Sequence, residues 1–170
     1  MGEPDIKVVD AVLTASRTFI AVATKSLGSA AEDTTLAQYR ALVVLASRGS
    51  QRIVDLAGAL GVTPSTAGRM CDRLVRKGLI RRHRTPADRR AVLVSITGAG
   101  RQVVDQATAR RRALITEILS SLPPARQQEV GNALRAFASA AGEIPDSEWP
   151  PAPPDLIPAD SDSATSANGR

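Results

Sequence analysis

From Val62 to Gly100 the apolar repeat switches from helical spacing to strict alternation, and most charges in that stretch are arginines. This switch predicts a short helix followed by a two-stranded hairpin. Thr63 suits an N-cap, and Pro64 suits the first helical position, where a missing N–H is harmless. Ala67, Met70, Cys71, Leu74 and Val75 recur at spacings of three and four and form one apolar stripe. Ser65, Thr66, Arg69, Arg73 and Arg76 lie off that stripe and face outward. Gly78 stands where a left-handed C-terminal residue is needed. Hydroxyls near a helix N-terminus reach phosphates or base edges, and arginines one turn apart fork onto guanine. Taken alone, such a face is equally an ordinary solvated surface.

The hairpin tips the balance. Ile80, Arg82 and Arg84 alternate with Arg81 and His83, and Val92, Val94 and Ile96 alternate with Leu93 and Ser95. Thr85-Pro86-Ala87-Asp88 has turn chemistry. The hairpin therefore bears Arg81, Arg82, Arg84, Arg89 and Arg90, with Asp88 as its only acid. Like charges this close repel, so the fold gains nothing from them locally. A polyanion accounts for them, because each neutralised phosphate releases a counterion. A nucleic-acid role follows from charge and motif together.

The rest of the body reads as helical. Val9, Val12, Leu13, Ile20 and Ala23 mark a helix over Ile6 to Leu27. Thr35 and Gln38 form a capping box for a helix holding Leu36, Tyr39, Leu42, Val43 and Ala46, stopped by Gly49. Ile53, Leu56, Ala57 and Leu60 give a short helix closed by Gly61. Thr97 caps a long helix with Val103, Val104, Ala107, Leu114, Ile115 and Ile118 on one stripe. Leu122-Pro123-Pro124 breaks it, and Pro124 opens a last helix carrying Val130, Leu134, Phe137 and Ala141. The long outer helices have more apolar face than one small motif covers. A second copy would cover it and present two reading helices to two half-sites.

Composition bounds the reading. The chain has 170 residues and a formal net charge of +5. From Glu143 onward six acids face one arginine, so that segment is −5 and the remainder +10. A basic body suits a polyanion. Residues 143–170 are rich in Pro, Ser, Ala and Asp, and predict a disordered acidic tail. No apolar run approaches membrane-spanning length and no signal peptide is visible, so no membrane partner is expected. The single cysteine, Cys71, excludes an internal disulfide and suits a reducing cytoplasm. It is read as buried packing rather than a redox switch. One histidine and one cysteine do not make a metal site, and no catalytic triad or phosphate-binding glycine loop can be assembled. Neither an enzyme nor a cofactor is expected.

The ordered set of helix, basic helix, GLIRRHRTPADRRAVLVSIT hairpin and TGAGR opening a long helix resembles the MarR family of winged helix-turn-helix regulators. Upstream, TTLAQYRALVVLA and IVDLAGALGV resemble the family's preceding helices, so the likeness runs from about Ile6 to Ala141. It implies a mainly α fold with a small β-hairpin wing: a winged helix-turn-helix over residues 35–97, with dimerisation helices at 5–27, 98–121 and 124–141, in a single domain ending at residue 142. It implies that Ser65, Thr66, Arg69 and Arg73 face the major groove of a pseudo-palindromic operator, that Arg90 enters the minor groove, and that Asp88 supports it. It implies a homodimeric repressor, relieved by a small anionic or phenolic ligand between the dimer helices and the motif. Arg17, Tyr39 and Arg110 are the candidate pocket residues. Two positions depart from the pattern: Arg52 where an N-capping Ser or Thr is common, and Gly68 where a larger residue is frequent. Two other readings remain at this stage, an architectural DNA coater with little sequence preference and a winged-helix protein-interaction adaptor.

Overall fold

The computed structural model describes residues 3–28, 34–84 and 92–151. The wing tip, with Asp88, Arg89 and Arg90, lies outside the described residues, as does the tail beyond residue 151. Among the described residues six α-helices and a small sheet follow in chain order: α1 Ile6–Leu27, α2 Leu36–Arg48, β1 Gln51–Arg52, α3 Ile53–Leu60, α4 Pro64–Arg76, β2 Ile80–Arg84, β3 Val92–Ile96, α5 Gly98–Ser120 and α6 Pro124–Ala140. A 3-10 turn at Asp146–Glu148 follows α6.

Local chemistry sets the helix starts. The Asp5 carboxylate accepts from the Lys7 N–H at 2.9 Å and caps α1. The capping box of α2 forms as expected: Thr35 Oγ1 accepts from the Gln38 N–H and Gln38 Oε1 from the Thr35 N–H, each at 3.2 Å. Thr63 caps α4, with Pro64 in its first turn, and Thr97 caps α5. Arg52 makes no side-chain cap for α3. Its guanidinium instead grips Asp55 in the first turn, with Nε–Oδ2 at 2.7 Å, and holds that carboxyl below its ordinary range. An acid in a first turn favours the helix by itself.

The sheet has a strand the periodicity did not anticipate. β1 pairs antiparallel with β3, Gln51 opposite Val94 and Arg52 opposite Leu93, giving the order β1-β3-β2. Two polar residues carry no alternation, so only the free edge of β3 decides that they pair. The hairpin register sets Ile80 opposite Ile96, Arg82 opposite Val94 and Arg84 opposite Val92.

The core lies between α2, the sheet, α3, α4 and the first half of α5. Leu42, Leu45, Leu56, Cys71, Leu74, Val94 and Val104 are buried there. α2 is buried on most of its circumference, with Ala41, Val44 and Leu45 inside as well as the expected Leu42 and Ala46. α5 meets the hairpin closely at Gly100, where an added Cβ would stand 2.1 Å from the Leu79 carbonyl oxygen and 2.8 Å from Ile96 Cγ1.

The outer helices are different. On α1, Ile6, Leu13 and Ile20 are 67%, 57% and 58% exposed. α6 buries no residue, and its Phe137 is 57% exposed. Beyond α6, residues 143–151 run back over α2 and α5, and Trp149 packs against the core.

Candidate nucleic-acid interface

The interface is built on α4. Ala67, Cys71 and Leu74 are fully buried against the core, which fixes the rotation of the helix. Met70 is half-buried, while Val75 lies at the stripe's margin, 37% exposed. That rotation turns Ser65, Arg69, Arg73 and Arg76 outward, with Thr66 partly covered. At the N-terminus the hydroxyls connect: Thr63 Oγ1 lies 3.1 Å from Ser65 Oγ and 3.0 Å from Thr66 Oγ1. Arg69 donates to Thr66 Oγ1 at 3.4 Å. Side chains, helix N-terminus and dipole thus offer one donor-rich, positive edge. Gly68 sits on the same helix with nothing within 4 Å of a would-be Cβ, so packing within the chain does not require glycine there.

The wing strand β2 divides its charges between two faces. Arg81 Nε donates to Ser95 Oγ at 3.2 Å, and the His83 ring lies on that side. Arg82 points the other way and pairs with Asp72 of α4 at 2.7 Å. Arg84, the last described residue of the strand, is exposed. The three hairpin residues named from sequence, Asp88, Arg89 and Arg90, lie outside the described residues. Cys71 faces the core, and burial pushes its thiol pKa up, opposed by Arg82 and aided by Asp72.

The expected pocket residues do not converge. Arg17 is exposed and donates to Thr14 Oγ1 at 3.3 Å. Arg110 caps the end of α1, with Nε 2.6 Å from the Ser26 carbonyl oxygen and Nη2 3.2 Å from that of Leu27. Tyr39 alone of the three borders a cavity of about 580 Å³ between α2 and α5. The cations there are Arg40, Arg111 and Arg112. One step along a helix turns a side chain by about 100°, which carries Arg110 to α1 and Arg111 to the cavity. The Arg111 guanidinium lies 5.2 Å from the Tyr39 ring centroid, and its buried Nε has no hydrogen-bond partner. The sequence did not single out Arg40 on α2 or Arg111 and Arg112 on α5; for the α5 pair the only signal is the i, i+4 spacing of basic and apolar residues. Among the described residues no helix is long and apolar enough to cross a membrane, and no group of His, Cys, Asp and Glu is placed to hold a metal.

Comparison with known proteins adds the following. A family model described as the MarR family matches residues 34–92. Over 107 residues the chain is 32% identical to the HTH-type transcriptional repressor MdtR of Bacillus subtilis, covering 63% of this chain and 69% of that protein. The crystal structure of RV1404 from Mycobacterium tuberculosis is 41% identical, with a TM-score of 0.77 over 85% of this chain and 99% of that one. A mutant MarR from Escherichia coli complexed with operator DNA is 25% identical, with a TM-score of 0.59 over 78% of this chain and 94% of that one.

Proposed function

This chain belongs to the MarR family of transcriptional regulators, with a DNA-binding winged helix, and from that premise we propose that it is a homodimeric, sequence-specific repressor of a pseudo-palindromic operator. The observation that supports this most is the outward face of α4. Ser65, Thr66, Arg69, Arg73 and Arg76 lie on one side of a helix whose other side is locked into the core. A face of that width and polarity fits the major groove, where paired donors read guanine and hydroxyls read either base or phosphate. Arg84 and the wing-tip pair Arg89 and Arg90, with Asp88 beside them, reach the flanking backbone and minor groove.

The dimer reading rests on the exposed apolar sides of α1 and α6. Two copies joined through those helices set two α4 helices about one turn of B-DNA apart. The ligand reading rests on the cavity between α2 and α5, where Tyr39, Arg40, Arg111 and Arg112 offer a ring and positive charge to a small anionic or phenolic molecule. Such a ligand relieves repression only by favouring the separation of the α4 helices that does not fit DNA.

Selection of bound genomic fragments, followed by a salt titration on the recovered site and a random duplex, tests the proposal. A two-fold-related site preferred over the random duplex at all salt concentrations is the expected result. Equal affinity for both points instead to an architectural coater. Sedimentation as a dimer at micromolar concentration is expected, and a monomer with full operator affinity contradicts the two-fold arrangement.

A further inference from the structure

Residues 143–151 leave the end of α6 and cross α2 and the start of α5 as a strap. The Glu143 carboxylate accepts from both terminal nitrogens of Arg40 on α2, Nη1–Oε2 at 3.1 Å. The Trp149 indole N–H donates to the Ile144 carbonyl at 2.9 Å and folds the strap on itself. Arg101 lies 5.6 Å from the Trp149 ring centroid and donates to the Pro150 carbonyl at 3.2 Å. Arg101 stands in the first turn of α5, immediately after the strand β3 that returns from the wing. The strap therefore links the end of one outer helix to the root of the wing.

The strap is bordered by empty space. The 580 Å³ cavity lies under Glu143, Ile144, Asp146 and Trp149. A second of about 230 Å³ flanks Trp149 and Arg101, and a third of about 730 Å³ separates the strap from α6. All three are open to solvent, so the strap lies at the surface with room on either side. Only Ile144 and Trp149 are even half-buried in residues 143–150, so the strap holds to the body through few side chains. One of its anchors is a carboxylate on a cation at the cavity wall, the pairing that a bound carboxylate would make.

We propose that this strap is a latch, with Glu143 acting as an internal competitor for Arg40. Docked, it walls the cavity and holds Trp149 against Arg101 at the wing root. A small carboxylate that enters between α2 and α5 displaces Glu143 and releases the strap, so cavity occupancy is transmitted to the start of α5. The release step rests on the small-anion reading of the cavity; the docking itself does not.

Trp149 is the only tryptophan in the chain, so emission and acrylamide quenching of the full-length protein read docking directly. In Glu143→Gln the undocked population is expected to rise about two- to fivefold, the equivalent of one exposed ion pair. Emission then moves to longer wavelength and quenching increases, with far-UV circular dichroism unchanged. Arg40→Gln is expected to do the same, and Glu143→Asp to restore part of the shielding. Unaltered Trp149 emission and quenching in both Gln variants overturns the latch. Benzoate is the ligand probe: it is expected to release Trp149 saturably in the parent and to bind Glu143→Gln more tightly by about the same factor. Equal benzoate affinity for parent and variant overturns the competition. Release by the substitutions with no response to benzoate leaves the docking intact and refutes the small-anion reading.

Discussion

Arg82 of β2 and Asp72 of α4 form an ion pair at 2.7 Å that joins the wing to the recognition helix. Both side chains are more than a third exposed, so solvent screens the pair and its contribution to stability is about 0.2–1 kcal/mol. Its other effect is local, setting the Arg82 guanidinium against α4. Asp72→Asn is expected to leave the unfolding midpoint nearly unchanged and to weaken operator binding. Arg82→Ala is expected to have the same small effect on binding as Asp72→Asn. A much larger loss in Arg82→Ala would mean that Arg82 leaves Asp72 to contact DNA.

Arg73 projects from the exposed side of α4, away from the buried Ala67, Cys71 and Leu74. Arg73→Ala is expected to cost about 1–3 kcal/mol on the preferred duplex and to relax sequence preference. Arg90→Ala is expected to weaken binding to all duplexes and to reduce the slope of log affinity against log salt by about one unit. Binding isotherms at several salt concentrations on matched and mismatched duplexes separate the two.

Gly68 can be replaced without a clash inside the chain. Gly68→Ala is expected to stabilise the protein by up to about 1 kcal/mol through helix propensity. If operator affinity falls at the same time, the notch at residue 68 admits the DNA backbone. If affinity holds, the glycine is only slack in the helix.

Gly100 behaves oppositely. The carbonyl of Leu79 and the side chain of Ile96 occupy the space a methyl would need. Gly100→Ala is expected to destabilise by at least about 1–3 kcal/mol, the ordinary range for overpacking, read as a lower denaturant midpoint.

Cys71 supplies a pH test. Desolvation by burial raises its thiol pKa, so the folded state holds that proton more tightly than the unfolded state does. The associated stability is complete below the unfolded thiol's pKa and is lost as pH rises through the folded value. Denaturation curves are therefore expected to show a steeper loss at alkaline pH for the parent than for Cys71→Ala. At neutral pH, alkylation of Cys71 is expected only at the rate of unfolding.

Helix starts and stops were legible because they depend on neighbours in the chain. Thr35 with Gln38, Thr63 with Thr66, and Thr97 with Gly100 each cap through a group three residues away. The outward set on α4 was legible because the period of a helix assigns faces by counting. The two-residue strand β1 was not legible, because its only cause is the edge of β3. Arg110 meets the end of α1 while its neighbour Arg111 borders the cavity, a distinction the sequence did not carry, because counting gives a stripe and not which neighbour the stripe meets.

Local order and its charge pattern were therefore written in the amino-acid string: a mainly helical body, a basic helix and hairpin, and the faces they turn outward. Tertiary structure alone decided the partners at long range: Arg82 with Asp72, Arg40 with Glu143, Arg101 with Trp149, and Arg110 with the end of α1. Short-range hydrogen bonds and periodicity are set by bonds along the chain. Contacts between Arg40 and Glu143 join residues 103 positions apart, and their meeting depends on how every intervening element packs.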